Sequence, residues 1–255
     1  MYPIEGGIEA LPRSFISYIP ADRVWLNANV VSIDASRHEV RLSDGRALSY
    51  QSLVSTMPLP ILIRLLGDSV PEEIKFCAAA LKHNVVHTVN IGLEGLRLGI
   101  DRPLHWVYFP EDRTIFHRLS FPHCFSPWMA PPGCSSIQAE ISESVHQVRS
   151  KDSLISDALD GLIKVGILTP EEARPVSEGG RVRVAKVVTL DPAYIIYDLQ
   201  HRNNTEKLEA YLKTISIESR GRFGEWEYFN MDHSILSGSA AVHPVSGEGD
   251  SHETG

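Results

Sequence analysis

The stretch between residues 85 and 142 constrains the fold more than any other part of the chain. It contains four strand-like runs, at residues 85–93, 105–109, 115–121 and 136–142, and the loops between them are rich in Pro, Gly and Asp. Turn-forming residues between short β-prone runs favour neighbouring strands that run in opposite directions. The pattern therefore predicts an antiparallel sheet.

A second group of short elements precedes this sheet. Residues 24–34 are rich in β-branched side chains and predict a strand, and Asp44-Gly45 predicts the turn of a hairpin between residues 38–42 and 47–50. A brief buried strand at residues 53–56 stops at Met57-Pro58, because proline cannot continue a central ladder. Apolar spacing predicts helices at residues 61–66, 71–81, 153–165 and 205–215, a last strand at 182–190, and a final helix that begins near Asp232. The fold class is therefore α/β in the broad sense, including α+β.

Charge and composition exclude several classes of protein. The chain has 24 Lys and Arg against 32 Asp and Glu, a net charge of −8, which argues against nucleic acid as a partner. An apolar run of roughly 18 residues, as a membrane span requires, is absent from the sequence. The first residues lack the pattern of a signal peptide, and three irregularly spaced cysteines fit reduced thiols. These features predict a cytoplasmic protein.

The segment GRFGEWEYFNMDHS at residues 221–234 is the strongest candidate for a binding site. Its two glycines allow the backbone to approach a flat or anionic ligand, and Arg222 offers a planar fork of hydrogen-bond donors. We expect Asp232 to cap a helix whose free N–H groups favour an anionic or carbonyl ligand. On residue types alone, an ordinary loop and helix cap with aromatic core residues is the alternative interpretation.

This segment is similar to the C-terminal flavin-contacting motif of UDP-galactopyranose mutases and their relatives in the FAD-dependent amine oxidase superfamily, which includes protoporphyrinogen oxidase-like proteins. Four other segments resemble the same family in the same order: YPIEGGIEALP at residues 2–12, VVSID at 30–34, VSTMP at 54–58 and HWVYFPED at 105–112. The ordered resemblance spans residues 2 to about 241, which makes it more specific than any single motif.

The resemblance implies a set of roles. The backbone of Val30 would meet the adenine, and Thr56 would lie beside the cofactor at the end of its strand. The flavin would be contacted by Arg222, Gly224, Met231 and Asp232. Arg222, Tyr228 and, through a looser match, Tyr197 would bind an anionic substrate such as a nucleotide diphosphate. The chemistry would come from N5 of the flavin, so no side chain is assigned as catalytic.

One element of the family pattern is missing from this sequence. No G-x-G-x-x-G fingerprint follows a strand, whereas family members carry it in a leading βαβ unit that grips the pyrophosphate. Each lost phosphate contact removes a charge-assisted hydrogen bond of about 1.5–3 kcal/mol. We therefore expect the chain alone to bind FAD weakly or not at all, and a partner chain could supply the missing unit.

The resemblance also implies a division of the chain. Residues 1–58 and 191–241 would form an incomplete, Rossmann-like FAD-binding domain. Residues 59–190 would form a substrate domain with an antiparallel sheet and helices, and residues 242–255 would be a disordered tail.

Three functions are compatible with the sequence. The first is the C-terminal portion of a mutase-type flavoenzyme that acts on a nucleotide sugar or another anionic substrate. The second is hydride transfer to FAD, as in amine oxidases and protoporphyrinogen oxidases. The third is a non-catalytic remnant, or one subunit of a split flavoprotein.

A metal site is not expected. Four candidate ligands, His117, His123, Cys124 and Cys134, lie close together in sequence, but their spacing fits no common zinc pattern. An aromatic group at residues 106–128 is expected in the core and on the sheet surface, with a flavin-facing or sugar-stacking role as the alternative.

Overall fold

The computed structural model describes residues 2–100 and 103–241, so the tail predicted at residues 242–255 lies outside the described residues. The helices are α1 Ala10–Ile16, α2 Leu59–Leu65, α3 Glu72–Ala79, α4 Leu154–Lys164, α5 His201–Thr214, α6 Gly221–Gly224 and α7 Met231–Ala240. The strands are β1 Val30–Asp34, β2 Glu39–Leu42, β3 Ala47–Ser49, β4 Leu53–Ser55, β5 Lys82–His83, β6 Val85–Glu94, β7 Trp106–Tyr108, β8 Arg118–Ser120, β9 Cys134–Glu143, β10 Val182–Leu190, β11 Ile195–Ile196 and β12 Ile217–Ser219.

These elements form two compact units. Of the described residues, the first unit contains 2–24, 84–100 and 103–193, and the second contains 25–83 and 194–241. Residues 2–24, assigned from the sequence to the FAD-binding part, thus belong to the first unit, and residues 59–83 belong to the second. Which unit carries which binding role stays a prediction.

The first unit is built on a five-stranded antiparallel sheet with the order β10-β6-β9-β8-β7. The apolar side chains of β6 alternate with polar ones, and one face of the sheet packs under helix α4. Its core contains Val89, Ile91, Leu93, Phe116, Leu119, Ile137, Ile141, Leu154, Ala158 and Leu162. Gly161 lets α4 approach the sheet, since a Cβ there would lie 2.6 Å from the ring of Phe116. The predicted antiparallel sheet and the mixed fold class are confirmed.

The second unit combines three small sheets with helices. The antiparallel sheet β1-β2-β3 contains the predicted hairpin turn, where Gly45 adopts a φ of +90°. Strands β4 and β12 pair in parallel, with Ile217 opposite Leu53, and β5 pairs with β11. Helices α2, α3 and α5 enclose a core that includes Leu62, Leu208, Leu212, Ile217 and Trp226.

Two element boundaries differ most from the sequence prediction. The strand predicted over residues 24–34 begins only at Val30, because Asn27 adopts a positive φ of 57° that interrupts extended backbone. The helix predicted over residues 205–215 begins at His201, whose side chain is buried and bonded to the carbonyl of Trp226. Tertiary packing therefore extends this helix beyond its apolar periodicity.

Candidate functional site

The candidate site lies in the second unit, where the parallel strands β4 and β12 both end. Parallel strands present their carboxyl ends at one edge of a sheet, and ligands of α/β folds bind at that edge. The N–H of Arg220 donates to the carbonyl of Ser55 at 2.8 Å, which brings the exposed Thr56 and the start of α6 to the same edge. Gly221 has a φ of +79° and open space where a Cβ would project.

Gly224 has a different role from Gly221. A Cβ at Gly224 would lie 3.1 Å from Oγ of Ser219 and 3.2 Å from the carbonyl oxygen of Ser55. The residue is buried, so its lack of a side chain allows α6 to pack on the ends of β4 and β12. This packing explains the glycine without a ligand, and the cofactor contact predicted for Gly224 stays a prediction.

Arg222 lies among aromatic rings just after this edge. Its guanidinium carbon lies 4.5 Å from the ring centre of Tyr228 and 5.6 Å from that of Tyr194, within the range of cation–π attraction. The two tyrosine rings are stacked, with centroids 5.9 Å apart and an interplanar angle of 25°. Nη1 of Arg222 donates to the carbonyl of Phe229 at 3.0 Å, which orients the guanidinium.

Tyr197 extends this group. Its hydroxyl donates to Oε2 of Glu227 at 2.7 Å and accepts the backbone N–H of Tyr228 at 2.6 Å. Burial, and then the hydrogen bond to Glu227, raise the pKa of Tyr197, so its phenol stays protonated at neutral pH. We call Arg222, Tyr194, Tyr197 and Tyr228 the arginine–tyrosine cluster.

The cluster thus contains three of the residues predicted from the sequence and one that was missed. Tyr194 was overlooked because it lies 28 positions before Arg222 and outside the quoted motifs. Its only sequence signal was an aromatic residue close to Tyr197.

The N-cap of helix α7 lies two residues earlier than the cap predicted for it. The N-cap is Asn230, whose N–H donates to Nδ1 of His233 at 3.4 Å, so the prediction that Asp232 caps the helix was wrong. Asn230 adopts extended backbone and leaves Asp232 inside the first turn. Met231 and Asp232 are exposed, and their amides make no hydrogen bond to another residue that the structure describes.

Val30 lies elsewhere in the second unit. It begins β1 opposite Leu42, is half-buried, and makes no hydrogen bond or ring contact with the cluster among the described residues.

In the same described part of the chain, no three His, Cys, Asp or Glu side chains converge as metal ligands. None of the described helices combines the length and apolar character needed to cross a membrane.

A second polar group, missed from the sequence, lies in the first unit. Tyr108, Arg118 and Glu140 stand side by side on strands β7, β8 and β9. Nε of Arg118 donates to Oε1 of the buried Glu140 at 2.9 Å, and Nη1 donates to the hydroxyl of Tyr108 at 3.3 Å. Burial lowers the pKa of the adjacent His117, an effect that Glu140 opposes.

Comparison with known proteins links these features to one superfamily. The family model for flavin-containing amine oxidoreductases matches residues 1–93. The structure of a reduced UDP-galactopyranose mutase superposes with a TM-score of 0.85 and 27% identity, covering 96% of this chain and 51% of the mutase.

Two less similar structures share the fold. A protein from Exiguobacterium sp. 255-15 described as a protoporphyrinogen oxidase gives a TM-score of 0.69 at 15% identity, covering 94% of this chain and 51% of that protein. Wild-type putrescine oxidase bound to putrescine gives 0.64 at 15% identity, covering 94% and 53%. The chain spans about half the length of each of these structures.

The match of residues 1–93 and the fold support a relationship to the flavin-containing amine oxidase superfamily. Over nearly its whole length, the chain is similar to UDP-galactopyranose mutase.

Proposed function

We propose that the chain is the C-terminal portion of an FAD-dependent enzyme of the mutase type, acting on a nucleotide sugar or another anionic substrate. The observation that carries this proposal is Arg222, which lies against the stacked rings of Tyr194 and Tyr228 and is oriented by the carbonyl of Phe229. A planar guanidinium with a fixed orientation matches the paired oxygens of a phosphate group.

The tyrosines complete a surface suited to a diphosphate. Tyr197 and Tyr228 are about half exposed, and the phenol of Tyr197 stays protonated beside Glu227. The single O–H of Tyr197 is donated to Glu227, so the phenol of Tyr228 would be the donor to a phosphate oxygen, and an aromatic face can pack against the attached sugar or base. The acidic chain as a whole repels anions, so recognition of an anionic substrate would depend on this local positive charge.

The residues of the second unit also fit a flavin. The open amides at the start of α7 lie at the positive end of a helix dipole and could hold a carbonyl of the flavin ring. Met231, Asp232, Arg222 and Thr56 would line that site, and the backbone of Val30 would hold the adenine. When bound, FAD would supply a redox-active ring whose N5 acts on the substrate.

FAD binding would require a further βαβ unit. The parallel sheet in the described part of the chain has two strands, and parallel strands are normally found in larger sheets with covered edges. A unit with the glycine-rich fingerprint, in the same longer protein or in a partner chain, would extend this sheet and grip the pyrophosphate. In this proposal the protein is cytoplasmic, with Cys77, Cys124 and Cys134 as free thiols.

The experiment uses the chain co-purified with the product of the neighbouring upstream coding sequence. We expect a yellow complex that binds UDP, measured by titration calorimetry. Arg222→Lys should weaken UDP binding by roughly tenfold or more, because a lysine cannot reproduce the oriented fork. Arg202→Lys is the matched control, since Arg202 is exposed on α5 and pairs with Glu206.

Each result separates the candidate functions. Equal UDP affinity in the two variants would contradict a diphosphate site at Arg222. A yellow complex that oxidises an amine but does not bind UDP would favour hydride transfer to FAD. A colourless complex would favour the non-catalytic remnant.

A further inference from the structure

Besides the arginine–tyrosine cluster of the second unit, the structure contains a row of three polar side chains on the sheet of the first unit. Thr189 on the edge strand β10 lies opposite His87 on β6, and Glu143 ends the next strand, β9. Nδ1 of His87 lies 2.9 Å from Oγ1 of Thr189, and Nε2 lies 3.0 Å from Oε2 of Glu143.

The hydrogen-bond partners determine which nitrogen of His87 carries the proton. An ionised carboxylate only accepts hydrogen bonds, so Nε2 must donate to Glu143. The hydrogen bond from His87, and then that from the N–H of Arg149, lower the pKa of Glu143 and keep it ionised. In the proposed reactive form, Nδ1 of the ring is the acceptor and the hydroxyl of Thr189 donates its proton to the imidazole.

The three side chains differ in their exposure to solvent. His87 is fully buried, the side chain of Glu143 is 21% exposed, and Thr189 is exposed at the edge of the sheet. The side chain of Thr189 is thus accessible at the edge of the sheet, while the base behind it is shielded. A hydroxyl bonded to an imidazole that a carboxylate orients is the arrangement of an activated nucleophile.

We propose that Thr189, His87 and Glu143 form an acyl-transfer site whose substrates are small activated carboxylic esters. Oγ1 of Thr189 would attack the ester carbonyl while its proton passes to Nδ1 of His87. The bond to the leaving alcohol then breaks, and the alcohol takes that proton from His87. Water, activated in the same way, would hydrolyse the acyl-threonine and release the acid. Glu143 is a positioning residue, because it holds the imidazole in the required tautomer.

This activity is independent of the proposed flavin chemistry. All three residues belong to strands β6, β9 and β10, and the step needs only an ester and water. It can therefore be measured on the full chain without FAD.

The test is incubation of the full chain with p-nitrophenyl acetate, with release of p-nitrophenolate followed by absorbance and the acetylated residue located by peptide mass spectrometry. We expect acetyl on Thr189. Thr189→Val, which keeps the shape and β propensity of the side chain, should abolish both signals, and Thr189→Ser should retain them. Thr214→Val is the matched control, since the exposed Thr214 hydroxyl donates to the carbonyl of Tyr211 instead of an imidazole.

Two further variants test the roles of the buried partners. His87→Gln should slow the reaction by about 10² or more, the scale of general base catalysis, in protein whose circular dichroism is unchanged. Glu143→Gln should lower kcat with little change in KM, because it disturbs the tautomer and not ester binding. The proposal is overturned if Thr189→Val reacts like the unmodified chain, or if acetyl is found on lysines alone.

Discussion

Arg222 illustrates how the environment of one residue sets its chemistry. Its guanidinium is flanked by Tyr194 and Tyr228 and tied to the carbonyl of Phe229, so its direction is fixed before any ligand arrives. A pre-oriented group loses less conformational entropy on binding than a mobile one. In the proposed diphosphate site, the aromatic rings would therefore contribute to recognition of the anion even where they do not touch it.

Gly224→Ala tests the packing of α6 on the parallel strands. The new Cβ would press on Oγ of Ser219 and the carbonyl oxygen of Ser55, so we expect a loss of about 1–3 kcal/mol in the free energy of unfolding. Gly238→Ala in α7 is the matched control, because a Cβ there meets nothing within 4 Å. It should be neutral or stabilising by up to ~1 kcal/mol. Urea denaturation measures both, and equal effects would contradict the packing argument.

Glu172→Gln tests an acid-sensitive contact in the first unit. The N–H of Thr169, at 2.9 Å from Oε2, and then Arg181 lower the pKa of Glu172. A lowered pKa stabilises the fold above the unfolded value of about 4.3, and this contribution disappears as the pH falls through the folded value.

The expected result is a pH-dependent difference between the two proteins. The unmodified chain should be more stable than Glu172→Gln at neutral pH, and the difference should shrink below about pH 4. Urea unfolding across this range measures it. Glu111→Gln is the control, since Glu111 forms an exposed pair with Arg113 that should contribute little. A difference for Glu172→Gln that does not change with pH would contradict the assignment.

At the level of elements, the strands differ in how fully they are paired. β6 is bonded along its length to β9 on one side and β10 on the other, whereas β4 has three residues and pairs with β12 in a two-stranded sheet. Strands with more paired backbone and deeper burial open less often. The edge proposed to hold the flavin is therefore formed by β4 and β12, strands that we expect to open more often than β6.

Hydrogen exchange of the full chain measures this difference. The amides of β6 should exchange more slowly than those of β4 and β12. Adding the unit that completes the parallel sheet should slow exchange in β4 and β12 and leave β6 unchanged. Equal protection of all three strands in the chain alone would show that the parallel pair is already stable.

At the level of the whole molecule, the chain consists of two units with separate hydrophobic cores and spans about half the length of the structures it resembles. A ligand that binds only the folded state raises the melting temperature according to its affinity. FAD should therefore leave the Tm of the chain alone unchanged and raise the Tm of the complex with the proposed βαβ unit. A clear rise in Tm for the chain alone would contradict the prediction of weak binding, and differential scanning fluorimetry measures both.

Features that depend on local pattern could be predicted from the amino-acid sequence. The antiparallel sheet was predicted from β-prone runs between turn residues, and the hairpin from Asp44-Gly45. Residues 221–234 were identified as a candidate binding segment from their glycines and Arg222. Local signals suffice there because turn chemistry and side-chain periodicity act over a few residues.

Contacts between residues far apart in the chain became visible only in the folded structure. It brought Tyr194 to Arg222, aligned Thr189 with His87 and Glu143 across three strands, and gave the helix cap to Asn230 in place of Asp232. Strand register sets the meeting of Thr189, His87 and Glu143, since a shift of one residue would turn every side chain of a strand to the opposite face. The contact of Tyr194 with Arg222 depends on how segments far apart in the chain pack, which no local pattern in the sequence records.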